Sequence, residues 1–164
     1  GAIDFSAALV RAAKMLGYTV TVCDARPVFA TAKRFPEADH VVVDWPHRWL
    51  EQQEVDQRTV IAVLTHDPKF DVPALKVALA TKAGYIGAMG SRRTHEDRVS
   101  RLREAGVSDV ELARIHSPIG VDIGARTPEE TAISICAEIV QHRWGGSGQS
   151  LTKTQGPIHP GAPR

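Results

Sequence analysis

Residues 59–65 read TVIAVLT, and this apolar run is the stretch that decides the fold. A near-continuous apolar run of this length indicates a strand buried on both faces, because a strand with one face in water alternates apolar and polar side chains. Three further β-branched or apolar runs occur along the chain: TVTVC at 19–23, HVVV at 40–43 and GYIGAM at 84–89. The sequence therefore predicts a sheet built from these strands.

The segments between the runs have the spacing of amphipathic helices. Residues 5–16 and 72–80 each place apolar side chains on one stripe, and 94–105 is charged on most faces with Val99 and Leu102 turned inward. Strands that alternate with helices imply a parallel sheet covered by helices. We therefore predict an α/β protein with a Rossmann-like three-layer fold and a mostly parallel sheet.

The last helix has the clearest start signal. Thr127 is a good N-cap, Pro128 suits the first helical position, and Glu130 completes a capping box. Residues 145–164 are rich in Gly, Ser, Gln and Pro without periodicity, which is typical of disorder. The sequence predicts a Rossmann-like cofactor-binding domain over 1–144 and a disordered tail over 145–164.

The composition limits the classes of function. The chain has 164 residues, a formal net charge of +1 and 5% aromatic residues, so no surface for binding nucleic acid is expected. No apolar run reaches the ~18–20 residues that a membrane span needs. Cys23 and Cys136 lie in apolar stretches without CxxC spacing, which predicts reduced, buried thiols and a cytoplasmic protein.

The first residues form a loop that leads directly into a helix. Residues 1–9 read GAIDFSAAL, and in a nucleotide-binding fold a buried strand precedes such a loop. We expect that the first strand of the sheet is missing from this chain. Because strand 19–23 would then have an open edge, we expect either upstream residues or a second chain, in a homodimer, to cover it.

The same loop is a candidate phosphate turn. Gly1 would let backbone N–H groups approach a pyrophosphate, with Asp4 at the helix start. Asp24 lies 23 positions later at a strand end, where an acidic side chain commonly bonds a ribose hydroxyl, and Arg26 could meet a phosphate. The structural alternatives are that Asp4 is an N-cap and Asp24 a turn residue.

His66 and Asp67 follow the most apolar strand, where ligands sit in open α/β sheets. They could bind a cofactor or a metal, or transfer protons, but their spacing does not make a metal signature, and no metal ligand is assigned. The alternative is structural: Asp67 and Pro68 form a turn, and Asp71 caps the following helix.

Residues 84–93 read GYIGAMGSRR and contain a second candidate anion site. Gly90 allows close backbone approach, and Ser91 can cap the next helix. Arg92 and Arg93 beside a helix N-terminus oppose the helix dipole, and an anionic ligand would relieve that conflict. The alternative is a cluster of solvated charges balanced by nearby acidic residues.

Residues 116–126 read HSPIGVDIGAR, a segment too short for a helix. Gly120 and Gly124 flank Asp122, so the loop could present a carboxylate and free N–H groups to a polar ligand. The alternative is a plain connection to the last helix.

These stretches resemble a known family. The chain is similar to the C-terminal Rossmann-like domain of the XdhC/CoxI family, the accessory proteins of xanthine dehydrogenase and carbon monoxide dehydrogenase. The resemblance runs from residue 1 to about 143. It rests on the phrases GAIDFSAAL, VCDARPVFAT, LTHDPKFDVPAL, GYIGAMGSRRTHEDR and HSPIGVDIGARTPEETAISICAEI.

The resemblance implies the function. Members bind the molybdenum cofactor, as molybdopterin or its dinucleotide, support its sulfuration, and deliver it to the apo molybdenum hydroxylase. This implies a hydroxylase partner and a cysteine desulfurase partner, and a chaperone without catalytic residues rather than a turnover enzyme. Members usually carry a preceding domain, which this chain does not show, so direct molybdenum ligation is not expected here.

Two other functions fit the fold. A nicotinamide-dependent oxidoreductase would use Asp24 to hold NAD(P), although no catalytic Tyr-Lys pair is evident. A nucleotide-sensing regulatory module is the third.

Overall fold

The computed structural model describes residues 1–159. Its helices are α1 (Asp4–Met15), α2 (Pro46–Glu51), α3 (Pro68–Leu79), α4 (Arg92–Glu104), α5 (Asp109–Leu112) and α6 (Pro128–Trp144). Its strands are β1 (Thr21–Asp24), β2 (His40–Val43), β3 (Val60–Val63), β4 (Tyr85–Ala88) and β5 (Ile115–His116). The order of the elements confirms the predicted alternation of strands and helices from β2 onward, but no helix lies between β1 and β2.

All strand pairs are parallel. β1 pairs with β2, and the other strands form a sheet of order β3-β4-β5, in which Val60 lies opposite Tyr85 and Ile86 opposite Ile115. Every residue of β4 is buried, as expected for a central strand between two helix layers. The predicted fold class, an α/β protein with a parallel sheet, is confirmed.

The helices form two layers. α1 packs against α6, whereas α2 packs against α3 and α3 against α4. The main core includes Leu75 of α3, Ile86 of β4 and Leu102 of α4, each at most 1% exposed. Burial of each such side chain contributes roughly 1.5–3 kcal/mol. The prediction that Leu102 faces inward is confirmed.

A groove separates the two sheets. Among residues 1–159 no strand joins β1 to β3, and a cavity of about 370 Å³ lies between their edges. Leu9 of α1 and Ile139 of α6 line it, together with Leu50 of α2. The backbone edges of β1 and β3 therefore face one another across this groove, which apolar side chains line.

Gly1 lies at one end of this groove. Its terminal ammonium donates a hydrogen bond to the Cys23 carbonyl at 3.1 Å. A Cβ on Gly1 would meet Thr65, just beyond β3, at 2.5 Å. Gly1 contacts Cys23 near the end of β1 and Thr65 just after β3. The carboxyl ends of β1 and β3 therefore lie at the same end of the molecule.

The predicted tail begins where α6 ends. Gly145 terminates the helix in the left-handed conformation with φ +74°, and the segment after it contains a short 3₁₀ turn at Leu151–Lys153. Residues 146–159 are exposed, and 160–164 lie outside the described residues. The disorder of this segment stays a prediction.

Candidate functional site

Asp24 is the centre of a tight polar cluster at the carboxyl end of β1. The Ala2 amide donates to its Oδ2 at 2.7 Å, and Arg26 donates from Nε to Oδ1 at 2.9 Å and from Nη2 to Oδ2 at 2.8 Å. Asp24 is only 2% exposed. Burial raises the pKa of this carboxyl, but the hydrogen bonds from Arg26 and Ala2 outweigh burial and hold the pKa well below its ordinary range.

This geometry changes what Asp24 and Arg26 can offer a ligand. Both Asp24 oxygens already accept hydrogen bonds, so a ribose hydroxyl would have to displace Arg26. Arg26 keeps Nη1 without a hydrogen-bond partner among residues 1–159, and its side chain is 39% exposed. The ribose role of Asp24 stays a prediction, and Arg26 is the better-placed group to contact a ligand.

The start of α1 does not use Asp4 as its cap. Ile3 occupies the N-cap position, and Asp4 is the first helical residue, 92% exposed and 3.4 Å from Arg34. The Ser6 hydroxyl accepts from the Ile3 amide at 3.3 Å and donates to the Gly1 carbonyl. The N-cap alternative for Asp4 is therefore wrong, because Ser6 closes this turn instead.

The start of α3 differs from the sequence expectation in a similar way. Asp67 caps the helix by accepting from the Lys69 amide at 3.0 Å, and His66 is exposed just before it. Asp71, expected as the cap, is instead buried and accepts hydrogen bonds from the Thr65 hydroxyl and from Arg98. The expectation failed because Asp67 already occupies the position where the backbone enters the helix.

Arg98 is the polar residue that the sequence analysis missed. It is 3% exposed and donates from Nη2 to Asp71 at 3.0 Å and to the Met89 carbonyl at 2.9 Å. Its Nη1 lies 3.4 Å from the Ser117 hydroxyl. One guanidinium thus connects Asp71 of α3 with the segments that follow β4 and β5. A signal was present, since Arg98 stands four residues before the inward-facing Leu102 and shares its helix face.

The second predicted anion site has the expected backbone. Gly90 adopts φ +139°, and the Ser91 hydroxyl accepts from the Thr94 amide at 3.1 Å, so the predicted cap is confirmed. Arg92 and Arg93 are both exposed beside this helix N-terminus. Two cations therefore lie next to the positive end of the α4 dipole.

The segment after β5 is packed against α6 at Gly120 and exposed at Asp122 and Gly124. Gly120 has φ +106°, its amide donates to Glu138 at 3.2 Å, and a Cβ there would lie 2.4 Å from the Ser134 hydroxyl. Gly120 is thus packed against α6. Asp122 and Gly124 are exposed beyond it, and the structure does not bring them against the Asp24 cluster by any hydrogen bond.

No group of three His, Cys, Asp or Glu side chains is arranged to hold a metal ion within residues 1–159. In the same part of the chain, no helix combines the length and the apolar character needed to cross a membrane.

Comparison with known proteins identifies the domain. Residues 1–139 match the family model described as the XdhC Rossmann domain. The chain is 32% identical over 127 residues to a probable xanthine dehydrogenase subunit of Bacillus subtilis (strain 168), covering 77% of this chain and 36% of that protein. It is 37% identical over 90 residues to the molybdenum cofactor insertion chaperone PaoD of Escherichia coli (strain K12), covering 55% and 28%.

A solved structure agrees with these matches. A crystal structure described as a xanthine dehydrogenase from Bacillus halodurans superposes with a TM-score of 0.73 and 30% identity, over 94% of this chain and 42% of that one. The chain spans only about a third of the length of the two curated relatives. On the match over residues 1–139, the chain belongs to the XdhC Rossmann-domain family.

Proposed function

We propose that this chain binds the molybdenum cofactor and takes part in its insertion into a molybdenum hydroxylase of the xanthine dehydrogenase or carbon monoxide dehydrogenase type. The observation that carries the proposal is the exposed pair Arg92 and Arg93 at the N-terminus of α4. Cations at that end are unfavourable for the helix unless an anion joins them. The relative described as a molybdenum cofactor insertion chaperone suggests which anion this is, because the molybdenum cofactor carries a phosphate.

The residues present fit a phosphorylated pterin. The N–H groups at the start of α4 and the side chains of Arg92 and Arg93 would hold the phosphate. Arg26, whose Nη1 has no hydrogen-bond partner among residues 1–159, would hold a second polar group at the neighbouring strand ends. When bound, the cofactor supplies the metal chemistry to the client enzyme. This chain's residues orient and shield it, and we assign none of them a catalytic role.

Finer features belong to the same proposal. The ligand is molybdopterin or its dinucleotide, and the hydroxylase receives it. A cysteine desulfurase is a second proposed partner. We further propose that the chain forms a homodimer and acts in the cytoplasm. An NAD(P)-dependent oxidoreductase is the second candidate, supported by the parallel sheet and by Asp24 at the end of β1. A nucleotide sensor would use the same candidate residues at the strand ends.

We expect Arg92→Ala, alone or with Arg93→Ala, to weaken retention of the cofactor, because the substitution removes a cation from the phosphate position. Molybdenum cofactor released from a purified molybdoenzyme is mixed with the chain, separated by gel filtration, and measured by pterin fluorescence after oxidation. Arg101→Ala is the matched control, since it removes an exposed arginine from the same helix.

The parent chain and the Arg101→Ala variant should retain the pterin and the Arg92→Ala variant should retain less. Equal retention by all of them at moderate salt would contradict the anion site. Retention of NAD(P) but not of the pterin by the parent chain would favour the oxidoreductase.

A further inference from the structure

Aromatic and arginine side chains form a continuous row at the carboxyl ends of β1, β2 and β3. The Arg26 guanidinium lies 4.6 Å from the centre of the Phe29 ring and 5.8 Å from that of Phe70. The rings of Phe70 and Trp45 are 5.0 Å apart. We call these four side chains the aromatic shelf.

The row draws residues from three separate segments of the chain. Arg26 and Phe29 follow β1, Trp45 follows β2, and Phe70 lies in the first turn of α3 after β3. The chain has only four Phe and three Trp, and two Phe and one Trp meet here. A protein poor in aromatic residues thus concentrates them where ligands sit in open parallel sheets.

The packing of the core does not account for the whole row. Phe70 is 6% exposed, as a core residue would be, but Phe29 is 40% exposed and Trp45 is 37% exposed. Val28, beside Phe29, is 77% exposed. Apolar surface left open next to a fixed cation is typical of a ligand site rather than of a core.

The cation in the row is held in one orientation. Nε and Nη2 of Arg26 donate to the buried Asp24 carboxylate, whereas Nη1 has no hydrogen-bond partner among residues 1–159 and is available to a ligand. The hydrogen bond to Asp24 also raises the pKa of Arg26, so its charge is permanent. Lys69 adds a second cation, with Nζ 4.9 Å from the centre of the Phe70 ring.

We propose that the aromatic shelf stacks the planar heteroaromatic ring of a phosphorylated ligand, with Phe29 and Trp45 as the exposed stacking surfaces and Arg26 Nη1 as a hydrogen-bond donor. This rests on the proposed function and extends it to a part of the ligand separate from the phosphate held at α4. The ring is the pterin or the nucleobase of the dinucleotide form, since both contain a flat heteroaromatic ring whose face can stack on an aromatic side chain.

The test compares ligands that contain a heteroaromatic ring with a ligand that lacks one. Calorimetric titrations of the full chain use 6-carboxypterin, GMP and ribose 5-phosphate, which keeps the sugar and phosphate of GMP but lacks its base. At least one ring-bearing probe should bind about 10-fold or more tightly than ribose 5-phosphate. The preferred probe tells the pterin from the nucleobase. Equal binding of the three probes, or binding of none, would overturn the proposal.

Substitutions locate the ring. Phe29→Ala and Trp45→Ala should each lower the affinity for the preferred heteroaromatic ligand about 10-fold or more. Neither should change the affinity for ribose 5-phosphate. Trp45→Tyr should keep most of the affinity that Trp45→Ala loses. Trp144→Ala is the matched control, because Trp144 is 57% exposed and also stacks with an arginine, Arg143, at 4.9 Å. If Trp45→Ala fails to fold by circular dichroism, Phe29→Ala decides, because Phe29 lies in an exposed loop.

Cofactor released from a molybdoenzyme separates the two proposals. If the parent chain does not retain it, the proposed function fails. If the parent and both alanine variants retain it equally, the function stands and the aromatic shelf is wrong.

Discussion

Arg98 and Asp71 form the most buried ion pair described in the chain, each side chain 3% exposed and their atoms 3.0 Å apart. Arg98 also holds the Met89 carbonyl, which is the last backbone group before the glycine of the α4 turn. The pair therefore fixes the floor of the candidate site without being exposed to a ligand.

Removing one partner of this ion pair should lower the free energy of unfolding more than replacing both partners with apolar residues. We expect Arg98→Ala to lower the free energy of unfolding by about 3–5 kcal/mol, because it leaves the Asp71 carboxylate buried and unpaired. The double substitution Asp71→Leu with Arg98→Met should lose less than either single substitution, since no buried charge remains. Urea denaturation of the set measures this. A double variant that loses the sum of the single effects would contradict it.

Asp24 gives a prediction that depends on pH. Its pKa is held well below the ordinary value of 3.8 in the folded chain, despite burial, by Arg26 and Ala2. A carboxyl of this kind stabilises the fold fully above its unfolded pKa, and the stabilisation is lost as the pH falls through the folded pKa. We therefore expect Asp24→Asn to destabilise the chain at pH 7, and the deficit to shrink below about pH 4.

Denaturation by urea at pH 7 and pH 3 measures the deficit. Asp4→Asn is the matched control, since this aspartate is 92% exposed and near an arginine at 3.4 Å. A deficit for Asp24→Asn that is the same at both pH values would show that the hydrogen-bonded charge does not stabilise the fold.

Single residues were predictable from the sequence where the backbone decides their role. Ser91 and Thr127 are caps in the sequence analysis, and both side chains accept the expected amide. Asp71 and Arg98 were not predictable as a pair, because they lie 27 positions apart and only the packing of α3 against α4 brings them together. The reach of Arg26 back to Asp24 is local, yet its effect on ligand access depends on the burial of Asp24.

At the level of elements, long periodic segments were predictable and short ones were not. α1, α3, α4 and α6 agree with the apolar stripes to within a few residues. α2 has six residues, α5 four and β5 two, so none has enough turns or alternations to show a period. Their stability comes from packing and caps, as for Ser108 and Glu111 in α5.

The groove between β1 and β3 leads to a prediction about a strand. Burial lowers the pKa of the Gly1 ammonium at the end of this groove, although Asp24 partly opposes the effect. A peptide bond in place of that ammonium would remove a buried charge. We predict that the groove accepts a parallel strand that leads directly into Gly1 and pairs with both edges.

Chain extension tests the strand. Six β-branched apolar residues added before Gly1 should raise Tm by roughly 2–8 °C, as about 1–2 kcal/mol does for a domain of this size. A Gly/Ser extension of equal length is the control. Equal Tm values would exclude the added strand. Light scattering could give a dimer for the parent chain and a monomer for the extended chain. That result would show that a second copy fills the groove when the added strand is absent.

For the whole molecule, the end of the sheet at which the candidate residues lie was more predictable from the sequence than the contacts between them. Parallel strands place their carboxyl ends on one edge, so the loops after β1, β3 and β4 were expected to converge. The aromatic shelf was not foreseen, because Phe29, Trp45 and Phe70 lie in three separate segments whose spacing along the sequence carries no period. Only the folded chain brings them together.

The separation of the two sheets also affects how the molecule opens. Between β1 and β3 no ladder of backbone hydrogen bonds transmits cooperativity within the described chain, so the β1-β2 pair is attached to the rest by helix packing and loops. Local stability follows such divisions, and separate units exchange their amide protons through separate openings. The amides of β1 and β2 should therefore exchange through openings of lower free energy than those of β4. Arg26, one of the candidate site residues, follows β1 and so belongs to the less stable unit.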